Sequence, residues 1–148
     1  MLIRRGTPAD IPDLMAIERQ SATAAHWSRE QYETAFSAEA PSRELLVLEE
    51  DGGIQGFVAG RALSKEWEIE NIVVSEPVRR RRFGSLLVQE FLALARGRGV
   101  EKVFLEVRES NLAARRLYEK LSFCESGRRR FYYREPQEDA IVYHLAFG

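Results

Sequence analysis

Residues Asn71 to Leu87 pass from an apolar strand into a helix through a turn dense in cations, and that succession limits the folds open to the chain. Ile72, Val73 and Val74 form a short apolar run, and Pro77 marks a turn. Arg79, Arg80, Arg81 and Arg82 then stand together, and Gly84 lies where helical spacing begins. A strand–turn–helix unit of this kind belongs to a sheet covered by helices, not to a helical bundle or a β-sandwich. It is also a place for an anion. The first turn of a helix leaves backbone N–H groups without intrahelical partners, its dipole favours negative charge beyond them, and arginines add fork-shaped donors suited to phosphate. For a lone run of arginines the commoner reading is a solvated helix entrance, so the rest of the chain decides.

The flanking patterns extend the α/β reading. Leu2 to Arg5 is a short strand. Thr7-Pro8-Ala9-Asp10 opens a helix continued by Ile11, Leu14, Met15 and Glu18, and Ser28-Arg29-Glu30-Gln31 is a capping box opening a second helix that buries Tyr32, Ala35 and Phe36. Glu44 to Glu49 and Ile54 to Ala62 are strands joined by a glycine turn, and Trp67 to Val74 completes an antiparallel meander. Phe83, Leu86, Leu87, Phe91, Leu94 and Ala95 form one helical stripe; Val103 to Val107 is a buried strand interrupted by Glu106; Ala114, Leu117, Tyr118 and Leu121 share a face of the next helix. Strands near Phe123 to Gly127 and Ala140 to Phe147 close the chain, joined by the basic and aromatic segment Arg128 to Arg134. The order predicts an α/β fold with a mixed, mostly antiparallel sheet and helices on both faces.

At 148 residues and 45% hydrophobic content the chain fits one domain, 1–148, able to bury roughly 70% of its unfolded surface. A net charge of −1 argues against a nucleic-acid partner, and the single Cys124 argues against an internal disulfide or a metal site. Without an apolar run near the ~20 residues of a membrane span, and without a signal-peptide pattern at Met1 to Arg5, the expectation is a cytoplasmic protein, monomeric or weakly dimeric.

Ligands of open sheets bind beyond the carboxyl ends of strands, where both Val74 and Val107 end, so the arginine turn and Glu106 are expected as neighbours. The turn matches neither the Gly-x-x-x-x-Gly-Lys-Ser/Thr nor the Gly-x-Gly-x-x-Gly phosphate loop, which disfavours nucleotide hydrolysis and dinucleotide binding. His26 and His144 lack serine and acid partners at a recognisable spacing. Glu106 can equally be a structural carboxylate paired with Arg108 or Arg129, Tyr118 a core side chain, and Asn111 a helix cap. Glu68 and Glu70 share a strand face, which reads first as solvated and otherwise as a carboxylate pair able to serve as a second base or to read an acceptor amine.

Arg79 to Gly84 resembles the Arg/Gln-x-x-Gly-x-Gly/Ala motif of the GNAT N-acetyltransferases, and Asn111 to Phe123 is similar to that family's Asn-x-x-Ala-x-x-Leu-Tyr-x-x-x-Gly-Phe. Leu105-Glu106-Val107-Arg108, Ser110-Asn111, Arg129-Arg130, Tyr132-Tyr133 and Glu138-Asp139-Ala140 resemble its ribosomal-protein-alanine acetyltransferase branch, as do Ile17-Glu18 and Trp27-Ser28. The resemblance implies the GNAT fold and acetyl-CoA as cofactor. Its pyrophosphate would sit on Arg79, Arg80, Arg81, Arg82, Phe83, Gly84 and Ser85, and its pantetheine would run along Ile72, Val73 and Val74, with Asn111, Ala114 and Tyr118 across from it. It implies a protein N-terminus, possibly that of a ribosomal protein, as acceptor, Glu106 as base and Tyr118 as acid. The alternatives are an acetyltransferase for a small amine and a non-enzymatic ribosome- or RNA-binding module. Arg82 and Ser122 replace glycines of the pattern, and Tyr143 stands where the branch often has methionine. Arg82 is expected to compensate by reaching a phosphate.

Overall fold

The structure is a computed structural model that describes residues 1–21, 24–38, 42–75 and 82–148. Strand β1 (Leu2–Arg5) leads through one 3-10 turn (Pro8–Asp10) into α1 (Ile11–Arg19) and α2 (Arg29–Ala35). Then follow β2 (Ser42–Glu50), β3 (Gly53–Leu63), β4 (Glu66–Val74), α3 (Phe83–Gly97), β5 (Lys102–Arg108), α4 (Leu112–Lys120), β6 (Cys124–Tyr133) and β7 (Glu138–Ala146). The seven strands lie in the order β1-β2-β3-β4-β5-β7-β6, antiparallel throughout except that β4 and β5 run parallel across the α3 crossover.

The predicted caps are present. The Ser28 hydroxyl accepts from the Gln31 amide at 3.1 Å while the Gln31 side chain accepts from the Ser28 amide at 2.8 Å, satisfying two donors that α2 would otherwise leave bare. Asp10 receives the Thr7 amide at 2.7 Å and a fork from Arg4 at 2.9 Å on both oxygens, which holds its carboxyl below the usual carboxylate range.

Two cores form on opposite faces of the sheet. Phe83, Leu87, Val88, Phe91 and Ala95 of α3 pack on Leu46, Leu48, Val58, Trp67, Ile69 and Leu105, joined by Tyr118 of α4. Ile11 and Leu14 of α1 and Tyr32 of α2 pack on Leu45, Val47, Phe57, Ala59 and Val73. Full burial of a side chain such as Phe91 contributes about 1.5–3 kcal/mol, so each helix is secured by its stripe and not by propensity alone.

Two details depart from the sequence reading. The segment Arg128 to Tyr133 is no connection but the second half of β6, an edge strand whose pairing to β7 shifts register between Arg129 and Tyr133. And β4 carries a bulge: Ala59 pairs with Asn71 while Gly60 pairs with Ile69, leaving Glu70 as the extra residue. The bulge reverses the alternation, so Trp67 and Ile69 face α3 whereas Val73, three pairs beyond Ile69, faces α1 and α2.

Candidate active site

The bulge sits where β4 leaves β5. The two strands pair from Glu66 opposite Lys102 to Ile69 opposite Leu105; beyond that point β4 continues to Val74 and β5 to Arg108 without pairing to each other. A bulge bends its strand and raises the local twist, which opens the sheet here. The gap belongs to a cavity of about 1130 Å³, lined on the α3 and α4 side by Gly84, Ser85, Asn111, Ala114 and Tyr118, and on the α1 and α2 side by Ala25, Trp27, Glu68 and Glu70. It therefore passes through the sheet from one face to the other.

Most of the residues singled out in the sequence meet here. Ile72, Val74, Arg82, Gly84, Ser85, Glu106, Asn111, Ala114 and Tyr118 all line the cavity. Val73 does not: the bulge turns its side chain into the core under α1, so only its backbone lies along this stretch. Phe83 is likewise a core residue, 3% exposed, and its side chain packs beneath α3 instead of lining the cavity. Arg79, Arg80 and Arg81 lie outside the described residues.

Glu106 is placed on β5 with its side chain 16% exposed, and Arg129 of β6 pairs with its Oε1 at 2.7 Å. Of the two partners weighed from sequence, Arg129 is the one found; Arg108 instead pairs with Glu138 at 3.2 Å. Arg129 also stacks over Tyr132 at 4.1 Å, and Arg108 over Tyr133 at 4.4 Å, so two cation–aromatic layers frame the carboxylate. Tyr133 is pushed up to about 12, first by burial and then by the Glu106 charge. Glu68 and Glu70 also face the cavity; burial lifts both carboxyls above their usual range, against the pull of Arg61 on Glu68 and of Arg43 on Glu70. They are half-buried and paired, not a solvated face.

Tyr118 is 3% exposed, and burial holds its phenol well above the ordinary tyrosine range. Its position follows from the end of α4. The Phe123 amide bonds to the Tyr118 carbonyl at 2.9 Å and the Ser122 amide to the Glu119 carbonyl at 3.0 Å, a Schellman closure with Ser122 left-handed at φ 75°, and the Phe123 ring meets the Tyr118 ring edge-on at 5.6 Å. At the other end of α4, Asn111 Oδ1 accepts from the Ala114 amide at 3.2 Å, so Asn111 is the N-cap as well as a wall of the cavity. Tyr143 takes the Arg115 Nε at 3.0 Å and donates to Glu119 at 3.1 Å, tying α4 to β7.

Arg82 is the N-cap of α3 in the left-handed conformation, φ 63° and ψ 22°. That is the physical reason for a glycine at this position: only a residue without Cβ takes this turn without strain. The first turns of α1 and α2 carry Asp13 and Glu30, whereas the first turn of α3 carries no acid and is preceded by an arginine. A helix start kept clear of its own carboxylates suits an external anion.

Sequence reasoning missed one cluster. Glu18, 2% exposed, Tyr32 and Asn71 form a buried hydrogen-bonded group against the cavity wall. A signal for it exists in the sequence, since Glu18 continues the spacing of Ile11 and Leu14 on a stripe that is otherwise apolar.

A profile described as the Acetyltransferase (GNAT) family matches residues 11–123. The chain belongs to the GNAT acetyltransferase family. It is 36% identical over 138 residues to the ribosomal protein bS18-alanine N-acetyltransferase of Salmonella typhimurium, covering 92% of this chain and 90% of that one. To the N-alpha-acetyltransferase RimI of Mycobacterium tuberculosis it is 37% identical over 114 residues, 73% of this chain and 70% of the other. Among solved structures it resembles the ribosomal-protein-S18-alanine N-acetyltransferase from Escherichia coli, with a TM-score of 0.87 at 30% identity over 98% of this chain and 92% of that one. It also resembles Ard1 from Thermoplasma volcanium, with a TM-score of 0.89 at 29% identity over 99% and 97% of the two chains. As a GNAT protein the chain is an acetyl-CoA-dependent N-acetyltransferase. The acid-free start of α3, opening into a cavity of this size, fits a phosphate-bearing acyl donor.

Proposed function

We propose that this acetyltransferase acts on the α-amine of a protein N-terminus, with the N-terminal alanine of a ribosomal protein as acceptor. The relatives whose names carry that acceptor align with nearly the whole chain. The observation that carries the reading is the passage through the sheet at Glu106, which lets two substrates approach the same carboxylate from opposite faces.

Acetyl-CoA supplies an acetyl group on a thioester whose thiolate is a competent leaving group. Its phosphates are assigned to Arg79 to Ser85, where Arg82 contributes charge and Gly84 and Ser85 contribute first-turn amides. Its pantetheine is assigned to the stretch Ile72 to Val74, which pairs with β3 on one edge and diverges from β5 on the other, with Asn111 and Ala114 opposite. An α-ammonium has a reference pKa of about 8 and must lose a proton before it can form the new C–N bond. Glu106 is assigned that proton. Arg129 occupies Oε1, which leaves Oε2 to take it, directly or through a water. After the C–N bond forms, the nitrogen still carries one proton too many while the departing sulfur needs one. Tyr118, kept protonated by its burial, is assigned to donate to the sulfur as the C–S bond breaks and to regain its proton from that nitrogen, directly or through water.

The test offers acetyl-CoA with peptides differing in their first residue, lysine-bearing peptides with blocked N-termini, and free amines. Preferential transfer to an alanine α-amine is expected. Transfer confined to small free amines overturns the acceptor assignment.

A further inference from the structure

Glu18 is a carboxylate buried to 2% exposure on the apolar stripe of α1, and hydrogen-bond donors from three places hold it. The Tyr32 hydroxyl of α2 donates to Oε1 at 2.5 Å, the Trp27 amide donates to the same oxygen at 3.0 Å, and Asn71 Nδ2 donates to Oε2 at 2.6 Å. Asn71 in turn accepts the Ala25 amide on Oδ1 at 3.2 Å, which fixes the orientation of its amide. Tyr32 steadies the same region by its ring, which meets the Trp27 indole edge-on at 5.4 Å.

Every group gathered by Glu18 belongs to a wall of the cavity or supports one. Ala25 and Trp27 are on the connection between α1 and α2, Asn71 is beside the β4 bulge, and all three line the passage on the side away from Gly84 and Asn111. A buried carboxylate with its oxygens occupied by fixed donors is worth more as a geometric constraint than as a proton acceptor, because each donor it loses leaves a desolvated group unpaired. Chemistry at Glu106 does not use it. Its reach is confined to one rim: the connection is bolted to the bulge, and the α3 end of the cavity is untouched.

We propose that Glu18 is a positioning residue for the acceptor: through Asn71 and the Trp27 amide it locks the residue 25–27 wall against β4 and so shapes the entrance for the acceptor chain, without contributing to acetyl-CoA binding. The inference rests on the reading above that the two substrates approach from opposite faces, which, with the donor assigned to the α3 and α4 side, puts the acceptor on the α1 and α2 side.

Hydrogen-bond polarity supplies the test. Glu18→Gln turns a nitrogen toward the Asn71 amide nitrogen, donor against donor, and Asn71 cannot rotate without abandoning Ala25. Asn71→Asp sets two carboxylates against each other. The double variant Glu18→Gln/Asn71→Asp restores a donor facing an acceptor, while the second oxygen of the new carboxylate still accepts from the Ala25 amide. Hydrogen exchange of the 24–28 amides is measured on the free protein, the acceptor KM with a short peptide beginning in alanine, and the acetyl-CoA Kd by titration. Each single variant is expected to lose exchange protection about tenfold and to raise the acceptor KM about tenfold, with kcat and the acetyl-CoA Kd within about twofold of the parent, and the double variant to recover both. Tyr32→Phe removes one donor with little loss of packing and is expected to move both quantities in the same direction by less; it serves if a single variant fails to fold. Lost protection with an unchanged acceptor KM overturns the proposal, as does an acetyl-CoA Kd that rises in step with KM, or a double variant no better than the worse single. A parent that binds acetyl-CoA but acetylates no peptide α-amine refutes the acceptor reading and with it the effect on KM; exchange still decides whether Glu18 holds the wall.

Discussion

Two residues that break the family pattern of glycines, Arg82 and Ser122, both stand at left-handed backbone positions, and this gives the departures a measurable consequence. A residue with Cβ is strained there by about 1 kcal/mol relative to glycine. Ser122→Gly is therefore expected to stabilise the protein by about 1 kcal/mol and raise Tm by roughly 2–4 °C in a thermal melt, without altering the Schellman closure that sets Tyr118. Arg82→Gly combines two effects of opposite sign. Relief of the same strain raises Tm, while loss of the guanidinium beside the start of α3 weakens acetyl-CoA by about tenfold in a binding titration. Tighter binding in that variant would show that Arg82 obstructs the phosphates. Glu106→Gln keeps the size of the side chain and its contact with Arg129 but removes the base. Its kcat/KM on an alanine peptide is expected to fall about 10²- to 10³-fold, and the residual rate to climb as pH rises through the amine's own pKa, since deprotonation then comes from solvent. A variant within a few-fold of the parent across that range leaves Glu106 as the structural partner of Arg129.

Among the elements, β4 does most to create the site. Its bulge at Glu70 opens the sheet and lets one strand serve both cores. The bulge depends on close approach from β3, because a Cβ on Gly60 would lie 2.4 Å from the Glu68 carbonyl oxygen and 2.4 Å from the Phe91 ring. Gly60→Ala is expected to destabilise by about 1–3 kcal/mol in chemical denaturation and to lower activity in proportion to the displaced strand. The strands and helices themselves are legible from periodicity and caps: the α3 stripe, the Ser28 box and the Asn111 cap all lie where spacing puts them. The bulge is not, since an extra residue in β4 is indistinguishable in sequence from ordinary alternation until its partner strand is known. For that reason the sequence does not show that the Val73 side chain packs in the core while only its backbone runs beside the cavity. The second half of β6 is hidden too, because its arginines and exposed Phe131 and Tyr132 carry no apolar alternation; what holds the strand is its pairing with β7 and side-chain ties such as Asp139 accepting the Phe131 amide at 2.9 Å. Phe83 shows the opposite limit: a motif position can supply backbone to a site while its side chain belongs to the core.

In the whole molecule, the two cores sit on opposite faces of one sheet, and the cavity is the interruption between β4 and β5 that joins those faces. None of the helices among the described residues is long and apolar enough to cross a membrane. The paired arginines of β6 are locally balanced: Arg128 is engaged by Asp139 and Glu109, and Arg129 by the cavity-lining Glu106. In the proposed function, acetyl donor and protein N-terminus occupy this passage together and meet at Glu106. A conjugate joining CoA through an acetyl bridge to the α-nitrogen of an alanine-beginning peptide spans both halves and measures that directly by calorimetric titration. Binding at least about 100-fold tighter than that of CoA or the peptide alone is predicted, the gain expected when two linked ligands fill adjoining sites. A conjugate that binds no more tightly than CoA would contradict the account, because the acceptor would then have no place in the cleft beside the donor.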